Sequence, residues 1–379
     1  MGEKKYIACK YIGMGLTRGK TLSVLGISKH QYYYVPKAIK PGRKPTQTTL
    51  MLQNDKTVEV SNEQIVKEME YIHSDPDTRY GYRKMYFALM MLGYFINHKK
   101  VYRLMSETQM LRERYKRKAK NYAQYRIVIP EGPLEVIEMD IKYVWIVETR
   151  SHAYILTIID TFTRFVLNWQ MGYWMKAAQV KQAWEHVIVN HLQPADMLNK
   201  SIHIEIRNDN GPQFGANIIQ QFFMQNHINQ VFTHPFTPQE NGHIESFHKT
   251  LSECLDNCSY WNLEQLNTKL TVFYEKYNNV RLHSSIASLT PALFWEAWNK
   301  SLIVRNLNEK TKKVKFMLKI PYQQLSGNEN LREVPCLNKS GLNVRWDLNK
   351  EVNGPKDPIH FNNHRYKGHL QSFLADTKL

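Results

Sequence analysis

Three acidic residues stand in sequence contexts that suit metal-assisted chemistry on phosphate esters. Asp140 lies in EVIEMDIKYV, Asp209 follows SIHIEIRN, and Glu245 lies in NGHIESFHKTL. Hard divalent cations prefer oxygen ligands, and two of them about 3.5–4 Å apart can stabilise both the attacking and the leaving oxygen at phosphorus. Three close carboxylates without a cation repel one another and raise each other's pKa. We therefore interpret the three as a candidate catalytic and metal-binding set.

Each of these residues also has a simpler interpretation when it is taken singly. The DNG that begins at Asp209 is a common turn, Asp140 could pair with a basic residue, and Glu245 could be a surface glutamate. The functional interpretation therefore depends on whether the fold brings the three together.

The pattern of apolar residues from position 131 predicts an α/β domain. β-branched and aromatic residues predict three antiparallel strands over 134–147, 152–160 and 164–174. A helix from 177, a strand at 201–209, a helix at 218–227, a strand at 229–234 and a helix from 241 follow. This order fits a ribonuclease-H-like fold, a mixed five-stranded sheet with flanking helices, in which strands one and four are neighbours. Asp140 and Asp209 then emerge at one edge of the sheet.

The last predicted helix would carry the third carboxylate. Ile244, Phe247 and Leu251 recur at helical spacing and form a buried stripe, which leaves Glu245 and Lys249 together on one flank. Asp160, which ends strand two in IIDTFTR, is an alternative to Asp209 in the triad. Because strand one separates strand two from strand four, we expect Asp160 to cap the turn through Thr163 or to pair with Arg164 instead.

Charge is distributed unevenly along the 379 residues, whose net charge is +17. Residues 1–130 carry 25 Lys and Arg against 10 Asp and Glu, residues 131–260 carry 8 against 14, and residues 261–379 carry 18 against 10. Basic flanks suit a polyanion, since each neutralised phosphate releases bound counterions. Solubility alone is the simpler explanation, and charge by itself does not exclude it.

The basic N-terminal part shows patterns of helical DNA-binding segments. Residues 1–40 contain an apolar helix, Gly26 and a possible N-cap at Ser28, which outline a helix-turn-helix, or alternatively an ordinary helical hairpin. Residues 41–60 are predicted as a linker, residues 61–111 as a helical DNA-binding domain, and residues 112–130 as a basic linker with interleaved tyrosines. The candidate DNA contacts in these segments are Lys29, Lys99, Lys100, Arg103, Arg112, Arg114, Lys116, Arg117 and Lys118.

Several motifs together resemble the integrase-core transposases of bacterial insertion sequences, specifically the insertion sequence three family, and the related retroviral integrases. They are the 35 residues between Asp209 and Glu245, the stretches IIDTFTRFVLNW, NDNGPQF and TPQENGHIESFHKTL, and YNNVRLHSSIASLTPALFW after them. RYGYRKMYFALMMLGYFINHKKVYRLM resembles the helical DNA-binding segment upstream of that core. The resemblance covers roughly residues 10–300, of which 131–300 form the predicted catalytic core. Residues 305–379, predicted as a small basic β domain with strands in KTKKVKFMLKI, PYQQL and SGLNVRW, match the family poorly.

The resemblance implies an Mg²⁺-dependent transposase that cuts element ends and joins a 3′-hydroxyl to target DNA. It implies two Mg²⁺ ions, which Mn²⁺ may replace, held by the Asp-Asp-Glu triad, and double-stranded DNA as partner, both as element ends with inverted repeats and as target. It also implies a homo-oligomer on DNA. Lys249 matches the family lysine that touches the terminal phosphate, and Asn241 falls in the loop before the catalytic helix. Two alternatives stay open: a nuclease of this fold without strand transfer, and a catalytically silent DNA-binding regulator.

The sequence also predicts a protein without a membrane span or a disulfide framework. No apolar stretch reaches the eighteen or so residues that a membrane helix needs, and the N-terminus has no signal-peptide pattern. Cys9, Cys254, Cys258 and Cys336 include no CxxC pair, so neither a zinc ribbon nor a disulfide network is indicated. We therefore expect a bacterial cytoplasmic protein that acts on DNA.

Overall fold

The N-terminal segment folds as the predicted succession of helices. The computed structural model describes residues 2–34, 45–53, 56–76, 79–111, 129–198, 203–234, 241–256, 258–325, 336–337 and 343–344. The first helices are α1 (Gly2–Gly13), α2 (Arg18–Leu25) and α3 (Lys29–Tyr33). Gly26 ends α2 with a φ of 62°, a left-handed conformation that favours glycine, and Ser28 caps α3 in a capping box with Gln31. The glycine turn and the Ser28 cap are confirmed.

A small sheet and three helices follow. The elements are β1 (Thr48–Gln53), β2 (Lys56–Ser61), α4 (Asn62–Ser74), α5 (Tyr82–Met91), β3 (Tyr94–Phe95) and α6 (His98–Glu107), with sheet order β2-β1-β3. Because β1 and β2 form an antiparallel hairpin, the linker predicted over 41–60 is wrong in its second half. Thr49 and Val60 are the two buried residues of this hairpin within the described positions, and Leu50 and Val58 are exposed, so the hairpin buries little apolar surface.

The central domain confirms the predicted ribonuclease-H-like sheet. Its elements are β4 (Val136–Ile146), β5 (Ser151–Asp160), β6 (Val166–Gly172), α7 (Ala177–Val187), a π-helical turn (Ile188–Leu192), β7 (Ile204–Asn208), α8 (Asn217–Gln225), β8 (Ile228–Phe232), α9 (Gly242–Leu255), α10 (Leu263–Asn279) and α11 (Pro291–Asn299). The sheet order is β6-β5-β4-β7-β8. β4, β5 and β6 are antiparallel, whereas β7 is parallel to β4 and to β8. The first and fourth strands of the domain are therefore neighbours.

The two faces of this sheet bury different helices. Ile137, Met139 and Ile141 of β4 pack in one cluster with residues of α7 and α8, including Trp184. Ile146 at the end of β4 packs on the opposite face in a second cluster, with residues of α9 and α10. Since side chains along a strand alternate between faces, the even-numbered residues of β4 face α9. This face carries Glu138 and Asp140.

The C-terminal region begins with a two-stranded hairpin. β9 (Ile303–Asn308) pairs with β10 (Lys313–Leu318), and short bridges form β11 (Cys336–Leu337) and β12 (Asn343–Val344). PYQQL, predicted as a strand, contains a 3-10 turn at Tyr322–Gln324, since Pro321 precedes it and no partner strand is paired with it within the described residues. Within the predicted β domain over 305–379, residues 326–335, 338–342 and 345–379 lie outside the described residues.

One hydrophobic cluster joins helices α4, α5 and α6 to the C-terminal part of the catalytic domain. Met69, Met85 and Leu104 share it with Leu282 and Phe294, and residues of β10 pack against it. Polar contacts reinforce the same contact surface. The buried pair Asp75 and Lys276 approach to 2.8 Å between Oδ2 and Nζ. The helical region and the catalytic domain therefore fold around shared buried surface.

The described helices include no candidate for a membrane span, because none is both long and apolar enough to cross a bilayer.

We expect Tyr80→Phe to weaken the contact between the helical region and the catalytic domain. The buried Tyr80 hydroxyl donates to the Val280 carbonyl at 3.1 Å and accepts from the Leu282 N–H at 3.0 Å. Its loss leaves two buried backbone groups unsatisfied and should lower the free energy of unfolding by about 1–3 kcal/mol. Urea denaturation is the measurement, with Tyr6→Phe as control, because Tyr6 is 71% exposed. Equal midpoints for the two variants would contradict this role.

Candidate active site

The pairing of β4 with β7 places Asp140 and Asp209 side by side. Glu138 lies opposite Arg207 across these parallel strands, and each aspartate follows two residues later. Residues two apart face the same side of a sheet, and neighbouring strands lie about 4.8 Å apart. The two carboxylates interact electrostatically. Partial burial raises the pKa of Asp209, and the negative charge of Asp140 raises this pKa further. The Gly211 N–H donates to Asp209 at 3.1 Å and opposes this rise.

α9 brings Glu245 to the same face of the sheet. Its predicted stripe of Ile244, Phe247, Leu251 and Leu255 is buried, and this stripe packs on the sheet face that carries Asp140. Glu245 is exposed on the flank of the helix. Partial burial raises the pKa of the Glu245 carboxyl, and the charges of Asp140 and Glu138 raise it further. The other two predicted carboxylates, Asp209 and Glu245, therefore both lie within electrostatic reach of Asp140.

A histidine of α9 lies close to the carboxylate of Asp140. His248, one turn after Glu245, places Nδ1 3.4 Å from Asp140 Oδ2. It also lowers the pKa of Glu245 against the effect of the acidic neighbours. The His248 Nε2 is buried and has no hydrogen-bond partner within the described residues. Lys249, on the next position of α9, is exposed.

The donor set suits a hard divalent cation. Asp140, Asp209 and Glu245 offer carboxylate oxygens, the ligands that Mg²⁺ and Mn²⁺ prefer, and their mutual repulsion is what a bound cation would relieve. Within the described residues, no group of three or more His, Cys, Asp or Glu side chains forms a ready set of ligands around one point. The residues thus fit a metal by charge and donor type, while their side chains stand apart.

Glu138 is the site residue that the sequence prediction missed. Its carboxylate is fully buried, accepts from the Ile244 N–H at 2.7 Å and lies 2.9 Å from His243 Nδ1. Asn241, the N-cap residue of α9, makes no side-chain capping bond, so Glu138 from β4 satisfies the first turn instead. Burial raises the pKa of Glu138 to about 7, although the Ile244 N–H and Arg164 oppose this.

The signal for Glu138 was present in the sequence as a charge in an apolar strand. Glu138 stands two residues before Asp140 and therefore shares its face. The sequence did not show what Glu138 would touch, because its partners Ile244 and His243 lie more than one hundred residues later.

Asp160 lies on the opposite face of the sheet from Asp140. It pairs in register with Ile137, whose side chain is buried against α7 and α8. Its Oδ1 accepts from the Leu134 N–H at 3.0 Å, and its Oδ2 accepts from the Thr163 N–H at 2.8 Å and from Thr163 Oγ1 at 2.5 Å. The predicted cap through Thr163 is confirmed, and Asp160 closes a turn on the other face of the sheet from Asp140.

The predicted DNA-contacting residues on α6 differ in whether their side chains make hydrogen bonds within the protein. Lys100 Nζ donates to Thr48 O at 2.8 Å and to Thr49 Oγ1 at 2.6 Å, and burial lowers the pKa of its ammonium. Arg103 donates to Thr46 O at 3.2 Å. These two residues hold the start of β1, whereas Lys99 is exposed.

The other predicted contacts are spread over the chain. Lys29 is exposed at the start of α3. Asn241 is buried, and its Oδ1 has no hydrogen-bond partner within the described residues. Arg112, Arg114, Lys116, Arg117 and Lys118 lie outside the described residues. Cys254 is buried on α9, whereas Cys258 is exposed, because the helix ends at Leu255.

Comparison with known proteins agrees with this geometry. Models of an integrase core domain match residues 130–238 and 226–291, and a model of an HTH-like domain matches residues 60–119. The chain therefore contains an integrase core domain. Within it, the matched ranges include Asp140, Asp209 and Glu245.

Relatives of this integrase-core protein occur in bacterial insertion sequences. An uncharacterized 39.2 kDa protein of insertion element IS476 from Xanthomonas euvesicatoria is 28% identical over 219 residues, 57% of this chain and 60% of that protein. The transposase for insertion sequence element IS904 from Lactococcus lactis is 23% identical over 250 residues, 62% of this chain and 95% of that protein. The chain thus spans less than two thirds of the length of the Xanthomonas relative.

Solved structures of integrases and transposases are also similar to this integrase-core protein. A chain of the simian T-cell lymphotropic virus intasome is 14% identical with a TM-score of 0.36, over 61% of this chain and 74% of that one. The Mos1 transposase catalytic domain with Raltegravir and Mg is 12% identical with a TM-score of 0.33, over 44% and 78%. The fold assignment depends on the sheet order and the family match, and not on these distant likenesses.

We expect Glu138→Ala to loosen the first turn of α9 and so to misplace Glu245. The change removes the acceptor for the Ile244 N–H and for His243, which should lower the free energy of unfolding by about 1–3 kcal/mol. Glu138→Gln keeps one acceptor oxygen and should lose less. Hydrogen exchange at residues 243–246 together with urea denaturation measures both effects. Glu148→Ala, at an exposed turn, is the control; unchanged exchange in Glu138→Ala would refute the anchoring role.

Proposed function

We propose that this integrase-core protein is a DNA transposase whose carboxylates Asp140, Asp209 and Glu245 bind divalent metal for phosphoryl transfer. The observation that carries the proposal is the parallel register of β4 and β7, which sets Asp140 beside Asp209 under the helix that bears Glu245. The pKa values of Asp209 and Glu245 are both raised in part by Asp140, which supports a shared site.

The residues of the chain hold, orient and charge the site. Asp140, Asp209 and Glu245 would bind the cations, two Mg²⁺ ions in our proposal with Mn²⁺ as a substitute. Such ions supply Lewis-acid polarisation of phosphate oxygens and stabilise the attacking and leaving oxygens of an in-line displacement. Glu138 holds α9 in place, and His248 contacts Asp140 from the same helix. Water would first attack the phosphodiester at an element end, and the freed 3′-hydroxyl would then attack target DNA.

Double-stranded DNA is the partner that the charge distribution supports. The basic N-terminal 130 residues include the segment that matches an HTH-like domain, and the basic hairpin of β9 and β10 adds Lys312, Lys313 and Lys315. Element ends with inverted repeats and target DNA are both proposed substrates. A homo-oligomer on DNA and a bacterial cytoplasmic location stay predictions.

Neutralising one carboxylate should abolish both cutting and joining while DNA binding persists. Asp140→Asn, Asp209→Asn and Glu245→Gln each remove a metal ligand and leave the basic surfaces unchanged. We expect each variant to lose Mn²⁺ affinity by about tenfold or more in calorimetry, since one charged ligand contributes more than 1.4 kcal/mol. Asp256→Asn, an exposed residue at the far end of α9, is the charge-matched control.

The products formed in Mg²⁺ separate the possible functions. Joined DNA products from the unaltered protein support a transposase, cut products without joining indicate a nuclease, and binding without cutting indicates a regulator. Substantial joining by any of the three carboxylate variants would overturn the triad assignment.

Two neighbouring lysines on α6 should respond differently to loss of charge. Lys99→Gln removes an exposed charge and should weaken DNA binding, with the slope of log affinity against log salt reduced by about one. Lys100→Gln removes the contacts to Thr48 and Thr49 and should mainly lower the unfolding midpoint. Fluorescence anisotropy in a salt series and thermal unfolding distinguish them; identical behaviour in both assays would contradict the separation. Deleting residues 1–126 tests DNA binding less cleanly than these substitutions. The deletion also removes helices that share a hydrophobic cluster with the catalytic domain.

A further inference from the structure

A cavity of about 190 Å³ lies next to the catalytic face. It is bounded by the turn between β5 and β6, the start of α9, the segment after α10 and the C-terminal hairpin. The polar residues that line it are Thr161, Arg164, His243, Ser285 and Lys312, and its apolar wall includes Phe162 and Phe316. His243 is two residues before Glu245, so the cavity adjoins the proposed active site without sharing its carboxylates.

The lining of the cavity is that of an anion site. Two side chains, Arg164 and Lys312, carry positive charge, His243 is a third nitrogen donor or acceptor, and Thr161 and Ser285 offer hydroxyl groups. No Asp or Glu belongs to the lining among the described residues. Guanidinium and ammonium groups with hydroxyls nearby are the donors that bind phosphate oxygens.

One donor atom of the Arg164 guanidinium has no hydrogen-bond partner within the described residues. This atom, Nη1, is buried, although Glu138 and Asp160 attract the guanidinium at longer range. A buried donor on a charged group is costly to leave unsatisfied. Its backbone is held in a left-handed conformation with a φ of 65°, and its N–H donates to the Asp160 carbonyl at 2.9 Å. Arg164 therefore stands on a fixed turn at the cavity wall, with one guanidinium N–H unsatisfied.

Lys312 brings the second charge from a different part of the chain. Lys312 lies in the turn between β9 and β10. This hairpin packs its Phe316 against Phe162 of the β5–β6 turn, with ring centroids 5.1 Å apart. The hairpin thus carries a lysine to an arginine almost 150 residues earlier in the sequence. Lys310, in the same turn, does not line the cavity, so a charge in this turn does not by itself place a lysine there.

We propose that this cavity binds a phosphate group between Arg164 and Lys312. The phosphate could belong to a DNA backbone or to a free phosphate ion. The DNA interpretation rests on the proposed function, because a phosphodiester held here would lie beside the first turn of the helix that bears Glu245. The phosphate site itself does not depend on catalysis.

The first experiment measures inorganic phosphate binding by calorimetry on the full chain without metal. Lys312→Gln should weaken phosphate binding by about tenfold, the effect of losing one charge-assisted contact. Lys310→Gln, the same charge change in the same turn, should leave it unchanged. Arg164→Gln should also weaken it, and Lys312→Gln keeps the test valid if that buried variant does not fold. No phosphate binding by the unaltered chain, or equal binding by the two lysine variants, would overturn the site.

The second experiment assigns the source of the phosphate. A fluorescein-labelled duplex is titrated with the unaltered chain, Lys312→Gln and Lys310→Gln, with and without inorganic phosphate. If the DNA backbone occupies the cavity, phosphate competes with the duplex and Lys312→Gln loses about tenfold more DNA affinity than Lys310→Gln. Equal DNA affinities of the two variants, with phosphate binding intact, would assign the site to free phosphate and refute the DNA interpretation. Strand-transfer assays separately test the proposed function.

Discussion

The parallel pairing of β4 with β7 is the constraint on which the candidate site depends. It sets the register in which Glu138 faces Arg207, and two residues later it sets Asp140 beside Asp209. A shift of one residue would turn one aspartate to the opposite face, where Met139 and Ile141 are buried against α7 and α8. The burial of apolar side chains on both faces therefore enforces the position of two carboxylates that electrostatics alone would drive apart.

The same face of the sheet also positions the third carboxylate. Glu138 accepts the Ile244 N–H where Asn241 provides no cap, so the start of α9 is fixed to the strand that carries Asp140. A buried carboxylate costs free energy, and its pKa of about 7 records that cost. The helix N–H and the nearby Arg164 partly offset it. Strand and helix are thus connected by a polar contact directly below the proposed site.

The regions on either side of the catalytic domain are built into its surface. The helical region shares a hydrophobic cluster with Leu282 and Phe294, and Tyr80 links it to the backbone after α10. The hairpin of β9 and β10 packs its Phe316 on Phe162 and on Phe294. These contacts surround α10 and α11, so packed surfaces hold helices α4–α6 and the β9–β10 hairpin against the catalytic domain.

The sequence by itself predicted the architecture of the catalytic domain and the three carboxylates of the candidate site. Runs of β-branched and aromatic residues mark strands buried on both sides, and a helical stripe such as Ile244, Phe247 and Leu251 marks α9, because both patterns are local. Local patterns did not reveal the hairpin of β1 and β2, which buries little, or the turn at Tyr322–Gln324. The contacts of Glu138 and the position of Arg164 and Lys312 on one cavity were decided only by the tertiary structure. These partners lie more than one hundred residues apart, and packing brings them together where no spacing rule applies.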